Sequence, residues 1–405
     1  MHGKGDEMDF ELTEEQRQFK REVEAFLKEV LPSGWDERVF VWPGAYGSMP
    51  HIEEEFRDFT REFQLRIGEK GWHSIGWPER YGGQESWMKQ AILVDAIDYH
   101  RAPLGGVADW IAAPTILAVG SEEMKGKWLP RIARGEISFW LGYSEPNAGS
   151  DLAAIKTTAM EEGDYFVVNG QKIWSTAAHV SDYAWLIART DLKAPKHKGI
   201  TLMIVDNKSP GVTIRPLVNI CGIHCFNEVF FDNVRVPKEN VVGEVNKGFY
   251  NLMLALQHER LIAWTGSYRR TLEDLLRYVK ETHYGGQSLG SDPLVRERLA
   301  ELATDIEILH GLFWQIAWMM DNGKVPDLEA SALKLYATEL SRKLAGVAMD
   351  ILGPYGQLER GSKWAPLTGR FCTGYLDSIS GPIGAGTSEI QYQIIATRGL
   401  GLPRQ

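Results

Sequence analysis

The feature that most limits what this chain can fold into is a double change of hydrophobic period along its length. From Thr13 to about Ala133 apolar residues recur at spacings of three and four, as in Phe19, Val23, Phe26, Leu27 and Val30. That repeat lines one face of a helix. Thr13 followed by Gln16 has the spacing of a capping box and marks where the first helix starts. A Pro/Gly-rich passage then gives way to short β-forming runs: Tyr165 to Val168, an Asn169-Gly170 pair, and Gln171 to Trp174. An Asn-Gly pair between β-formers predicts a hairpin turn, because both turn positions need positive φ. Further strands are expected at Trp185 to Arg189, Ile200 to Asp206, Val212 to Pro216 and Glu228 to Val236, so the middle third reads as a small antiparallel β unit. After Gly248 helical patterning returns through Asp274 to Lys280, Val295 to Met320 and Leu328 to Leu352. Apolar residues occupy more than one face of these runs, as the central helices of a bundle require. The fold class is therefore α+β, in the order helices, sheet, helices.

A chain of 405 residues, 44% apolar, can fill two or three cores. Its net charge of -10 argues against a generic nucleic-acid binder, which needs an excess of Lys and Arg to neutralise phosphates. Cys221, Cys225 and Cys372 are too few and scattered for a disulfide framework, and the expected compartment is the cytoplasm. The charged first 22 residues lack a signal-peptide core, and no uncharged stretch has the length of an integral membrane segment.

Several segments carry candidate chemistry. Gly142 to Asp151 (Gly-Tyr-Ser-Glu-Pro-Asn-Ala-Gly-Ser-Asp) combines a rigid turn with hydroxyls and backbone N–H groups, suited either to a polar ligand or to a plain domain-crossing loop. Trp174, Ser175 and Thr176 end a strand, where an indole can flank a planar cofactor and a hydroxyl can donate to it; strand Trp is more often core. Glu259 has Ala255, Leu256, Ile262 and Ala263 as helical neighbours, which places its carboxylate on an apolar face. Periodicity leaves two readings open: a desolvated general base, or a structural ion pair with Arg260 or another arginine. Gly381, Gly384 and Gly386 resemble a nucleotide loop without the strand and helix such a loop needs. Cys221-Gly222-Ile223-His224-Cys225 has neither haem order nor a second ligand pair, and no metal is expected.

Five stretches in order, Leu12 to Phe19, Gly142 to Asp151, Asn169 to Thr176, Phe226 to Pro237 and Gly386 to Pro403, resemble those of the acyl-CoA dehydrogenase family. The resemblance implies an N-terminal helical domain (1–135), a middle antiparallel β-barrel domain (136–246) and a C-terminal four-helix bundle (247–405). It also implies FAD as cofactor and an acyl-CoA thioester as substrate, with electrons leaving to an electron-transferring flavoprotein. It places Tyr143 and Ser144 at the flavin's pyrimidine edge, Ser150 near cofactor and CoA phosphates, Trp174 against the isoalloxazine with Ser175 beside it, and Thr176 by N5. Thr387 and Glu389 fall at FAD-contacting positions of the C-terminal domain. The common family base lies just before the Gly-Thr pair, where this chain has Ala385; in the branch that includes isovaleryl, long-chain and steroid side-chain dehydrogenases it precedes an Arg-Leu pair. Gln257-His258-Glu259-Arg260-Leu261 matches that branch. The resemblance thus makes Glu259 the base, with Arg260 beside it, and the backbone N–H of Ala385 a donor to the thioester oxygen.

Two departures stand out. The family's Arg-x-x-Phe-Gly is replaced around Thr282 to Gly286, and a Gln expected near Asp350 is absent. Both losses remove contacts across an FAD interface, which leaves a homotetramer or an α2β2 heterotetramer as the expected assembly. Small residues at Gly384 and Ala385 suggest room for a branched, cyclic or steroid-like acyl group, with Trp110, Trp140 and Trp264 as candidate lining. The alternatives to a dehydrogenase are a flavin oxidase or monooxygenase on the same scaffold, or a non-catalytic subunit completing a partner's FAD site.

Overall fold

A computed structural model describes residues 11–47, 52–258 and 265–403. In chain order the helices are α1 (Glu14–Val30), α2 (Trp35–Arg38), α3 (Glu54–Glu69), α4 (Trp87–Tyr99), α5 (Ala113–Val119) and α6 (Glu122–Ala133). The strands β1 (Phe139–Gly142), β2 (Thr158–Glu162), β3 (Tyr165–Lys172), β4 (Tyr183–Arg189), β5 (Ile200–Asp206), β6 (Val212–Val218) and β7 (His224–Pro237) follow. Then come α7 (Gly248–His258), α8 (Thr265–Glu281), the short β8 (His283–Tyr284) and β9 (Gln287–Ser288), α9 (Pro293–Asp321), α10 (Asp327–Leu352), α11 (Arg370–Asp377) and α12 (Ser388–Ile394). Among the described residues no helix is long and apolar enough to cross a membrane.

These elements gather into two compact units. The sheet unit holds α3, α5, α6, α7 and strands β1 to β7; the helical unit holds α1, α2, α4 and everything from α8 onward. The N-terminal helices are thus divided between the units. An amphipathic repeat shows that a face is buried but not against what.

In the sheet unit the strand order is β1-β4-β2-β3-β7-β6, with β5 also on β4. Most pairs are antiparallel, as expected, but β1 runs parallel to β4, from Phe139 opposite Tyr183 to Gly142 opposite Leu186. The middle of β4 and nearly all of β5 are buried, which explains their unbroken apolar runs. The hairpin lies elsewhere than expected. Glu162 pairs with Tyr165, so the two-residue turn is Gly163-Asp164, with Gly163 at φ 58°. Asn169-Gly170 sits inside β3 at a register shift against β7. There the Asn169 carboxamide accepts from Asn233 N–H at 2.9 Å, and a Cβ on Gly170 would come within 2.5 Å of Thr157 Oγ1. The Asn-Gly signal marks a bulge packed against a neighbour rather than a turn.

The helical unit starts with the expected capping box: Gln16 N–H donates to Thr13 Oγ1 at 3.2 Å and Thr13 N–H to Gln16 Oε1 at 2.9 Å. Phe19, Val23, Phe26 and Leu27 are buried along α1. A charged network ties the helices together: Arg101 to Asp274, Arg270 to Asp36 and Asp274, and Arg370 to the carbonyls of Asp36 and Val39. The start of α8 is held by two carboxylates of α4. Thr265 Oγ1 donates to Asp95 at 2.8 Å and Ser267 N–H to Asp98 at 2.7 Å.

Candidate active site

In the sheet unit, the loop after β1 and the end of β3 lie side by side. Ile173 N–H donates to Ser144 O at 3.0 Å, and Lys172 Nζ to Tyr143 O at 3.0 Å. Tyr143 and Ser144 are thereby brought next to Trp174, Ser175 and Thr176. Beneath them lies a buried ion pair. Lys172, fully buried, reaches Glu145 Oε1 at 2.9 Å, and the same carboxylate accepts from the N–H groups of Lys156 at 2.6 Å and Thr157 at 2.9 Å. Burial works to raise the Glu145 carboxyl, but the Lys172 ammonium and the N–H donors outweigh it and hold it below the ordinary value. Burial brings the Lys172 ammonium down to about 8 against the pull of Glu145, so both partners are charged at neutral pH.

Asn227 braces the other side of the turn. Ser175 N–H donates to Asn227 O at 3.1 Å and Asn227 Nδ2 donates back to Ser175 O at 2.9 Å. The same carboxamide meets His179 Nδ1 at 3.1 Å and His224 Nε2 at 2.8 Å, with the two imidazoles stacked 3.9 Å apart. Burial, followed by His224 and Arg57, lowers His179 to about 4. His179 is therefore neutral, as an acceptor of the Asn227 N–H must be.

Between these braces the chain is strained and its polar groups are left over. Trp174 and Ala177 have φ 59° and 58°, a region that non-glycine residues seldom occupy. Trp174 is 59% exposed, its ring edge-on to Phe226. Ser175 is fully buried, yet its hydroxyl has no partner among the described residues. The hydroxyls of Ser144, Ser150 and Thr176 make no hydrogen bond to a described residue either. A buried hydroxyl without a partner, next to a large indole held outward, fits a planar polar group binding here. Ser150 is exposed farther along the loop and is not drawn into this cluster. A cleft of about 280 Å³ lined by Glu145, Asn147, Lys156 and Gln171 includes none of the six cofactor candidates of this unit.

In the helical unit, a loop from Gly381 to Thr387 precedes α12. Ala385 has φ 51°, and its N–H makes no hydrogen bond to a described residue. That leaves it free to meet an oxygen. Lys334 of α10 donates to Gly381 O at 3.1 Å and Gly386 O at 2.8 Å, while Gln391 Nε2 reaches the carbonyls of Ala385 and Gly386 at 3.3 Å each. Thr387 caps α12, its Oγ1 accepting from Ile390 N–H at 3.3 Å. The Glu389 carboxyl, in the first turn, lies below its ordinary value through hydrogen bonds from Thr387 and its own N–H. Gly384 is small because the Tyr46 ring occupies the space beside it, 2.8 Å from where a Cβ would sit. That position is filled by protein and is not spare room for substrate.

Glu259 and Arg260 lie outside the described residues, as does Trp264. Trp110 and Trp140 are core: both are buried, with indole N–H groups on Gly105 O at 2.8 Å and Asn207 Oδ1 at 2.7 Å. Around Thr282 to Gly286, β8 and β9 form a two-residue hairpin with Gly285 and Gly286 both at positive φ, and Asp350 pairs with Arg298. Sequence reasoning passed over Glu145, Lys172, Asn227 and Lys334. For Lys172 a signal existed: its parity with Phe166 and Val168 in β3 puts a lysine on the buried face, which demands a counter-charge.

The fold defines a class: an α+β protein with a curled sheet between helical regions. The particular family follows from comparison with known proteins. The acyl-CoA dehydrogenase N-terminal, middle and C-terminal domains match residues 13–136, 141–234 and 246–400. The acyl-CoA dehydrogenase FadE26 of Mycobacterium tuberculosis is 34% identical over 402 residues, covering 97% of this chain and 98% of that protein. Among solved structures, the Tcur3481-Tcur3483 steroid ACAD superposes with TM-score 0.88 at 34% identity, covering 98% of this chain and 100% of the other. A chain of the ChsE4-ChsE5 complex from Mycobacterium tuberculosis gives 0.86 at 33%, with the same coverage. The chain belongs to the acyl-CoA dehydrogenase family and is an oxidoreductase acting on CH–CH groups.

Proposed function

We propose that this chain catalyses FAD-dependent α,β-dehydrogenation of an acyl-CoA whose acyl group is branched, cyclic or steroid-like. The observation that carries the reading is the unpartnered, fully buried Ser175 hydroxyl beside outward-facing Trp174. In this reading Trp174 flanks the isoalloxazine, Tyr143, Ser144, Ser175 and Thr176 supply its polar contacts, and Thr387 and Glu389 contribute from the C-terminal domain of the three divided at residues 135 and 246. Ser150 serves phosphate groups from its exposed loop. FAD supplies the acceptor for the hydride from the β-carbon. Glu259 removes the α-proton, with Arg260 adjacent, and the Ala385 N–H steadies the negative charge that develops on the thioester oxygen. The acceptor that would take the electrons onward is an electron-transferring flavoprotein, in a cytoplasmic setting.

The substrate class leans on the steroid ACAD among the similar structures, since the space beside Gly384 is closed by Tyr46. The assembly is a homotetramer or a heterotetramer of two chain types. A second reading, a subunit that completes a partner's FAD site, draws on Asp350 being engaged by Arg298 and on the β8–β9 hairpin standing where an FAD-reaching arginine is expected.

Anaerobic flavin reduction by straight, branched, aromatic, dicarboxylic and cyclic acyl-CoAs tests both. Bleaching by bulky thioesters, abolished in Glu259→Gln with FAD retained, is the expected result. A chain that retains no FAD alone and gains it only with a second subunit, with bleaching unchanged in Glu259→Gln, selects the second reading.

A further inference from the structure

The loop that carries Ala385 is braced by a cation with no anion of its own. Lys334 Nζ points its protons at two carbonyls, Gly381 O at 3.1 Å and Gly386 O at 2.8 Å. No carboxylate of a described residue lies within ion-pairing distance of it. Other buried or half-buried cations of the helical unit are matched, Arg101 and Arg270 by Asp274 and Asp36. A half-buried ammonium without a counter-ion carries a desolvation cost, and a neutral donor would hold two carbonyls as well. Burial lowers this ammonium to about 8, with Glu339 and Glu389 pulling the other way from farther off.

We infer that Lys334, clamped on the carbonyls of Gly381 and Gly386 behind the unengaged Ala385 N–H, is a positioning residue that both fixes that donor and provides the missing counter-charge to the thioester oxygen. This rests on the reading of Ala385 N–H as the oxygen's donor. In the step concerned, the α-carbon's C–H bond breaks, its proton goes to the Glu259 carboxylate, and the electron pair spreads onto the thioester oxygen. Lys334 gains and loses no atom. Held on the carbonyls of Gly381 and Gly386, on either side of Ala385, its charge would act on an oxygen that is neutral before the step and negative after it, and so would stabilise the later state more than the earlier one.

The test separates charge from hydrogen bonding. Lys334→Gln keeps a donor without charge, and Lys334→Arg keeps both. The probe is the β-thia analogue of whichever acyl-CoA bleaches the flavin fastest. Its sulfur replaces the β-carbon, so it can lose the α-proton but no hydride, and its enolate is read by long-wavelength absorbance on the flavin-loaded enzyme. Lys334→Gln should raise the pH at which the bound analogue ionises by one unit or more, about tenfold in equilibrium constant, while Lys334→Arg restores most of it. FAD content and analogue affinity should change less than about threefold, within the scatter of surface-like effects. Lys334→Met, which removes the charge without placing an amide there, gives the same comparison should the Gln variant not fold. Ionisation unchanged in Gln or Met, or equally impaired in Arg, overturns the proposal. A wild-type ionisation that survives Glu259→Gln unchanged refutes the base assignment instead.

Discussion

The two units handle buried charge in opposite ways. In the sheet unit the Glu145–Lys172 pair is matched, each charge facing its opposite and the spare carboxylate valences taken by two backbone N–H groups. In the helical unit the Arg101, Asp274, Arg270 and Asp36 network is matched too, but two charges stand apart: Lys334 meets carbonyls and no carboxylate of a described residue, and Asp98 is fully buried on Ser267, whose N–H donates at 2.7 Å and whose side chain also hydrogen-bonds it. Matched charge holds a shape, here the strained turn that presents Trp174. Unmatched charge leaves a group whose energy depends on what approaches it or on pH.

The sharpest way to break this contrast is to unmatch the sheet unit. Glu145→Ala strands a buried ammonium and should cost about 3–5 kcal/mol, whereas a paired Glu145→Leu, Lys172→Met change should recover most of it; urea unfolding of the flavin-free protein compares them. A smaller effect is expected where the helical unit's loop packs against Gly44. A Cβ at Gly381 would lie 2.2 Å from Gly44 O, so Gly381→Ala should lower stability by about 1–3 kcal/mol through forced backbone shifts, read as a fall in Tm.

Asp98 sharpens the contrast through pH. Burial raises its carboxyl from 3.8 to about 7, against the pull of Ser267. The folded state therefore binds a proton that the unfolded chain has released, so this contribution is full below the unfolded value and is lost as pH rises through about 7. Asp98→Asn should flatten that decline between about pH 4 and 7 and be the more stable protein at pH 8 by about 1–2 kcal/mol, a usual scale for one buried group. Chemical denaturation across that range checks it. The smallest change in stability is expected at Trp174. Trp174→Ala removes an exposed ring and should alter unfolding by less than about 0.5 kcal/mol, while FAD retention on gel filtration falls. Equal loss of stability and of flavin would mean the indole is structural.

Much of the architecture was legible in the residues. The change from a helical to a strand period and back places α9, α10 and β5 nearly to the residue and β7 four residues short at its start, and Thr13 with Gln16 locates the start of α1. Less of the site was legible. Residue type singles out Trp174, Ser175 and Thr176, but only the tertiary structure shows that the Ser175 and Thr176 hydroxyls meet no described partner while Glu145 and Asn227 beside them are fully engaged. The Asn169-Gly170 pair misled because a local turn preference lost to the packing of Gly170 on Thr157.

Period, caps and residue type act over a few neighbours along the chain, and they determined the element order, the limits of α9 and α10 and the chemistry on offer. Which helices joined which unit, that Gly384 faces Tyr46, that Lys172 meets Glu145 and that Lys334 meets carbonyls and no carboxylate of a described residue were decided by the tertiary structure alone. Those pairings join residues tens to hundreds of positions apart, and desolvation and charge matching act through space, where a one-dimensional pattern carries no distance.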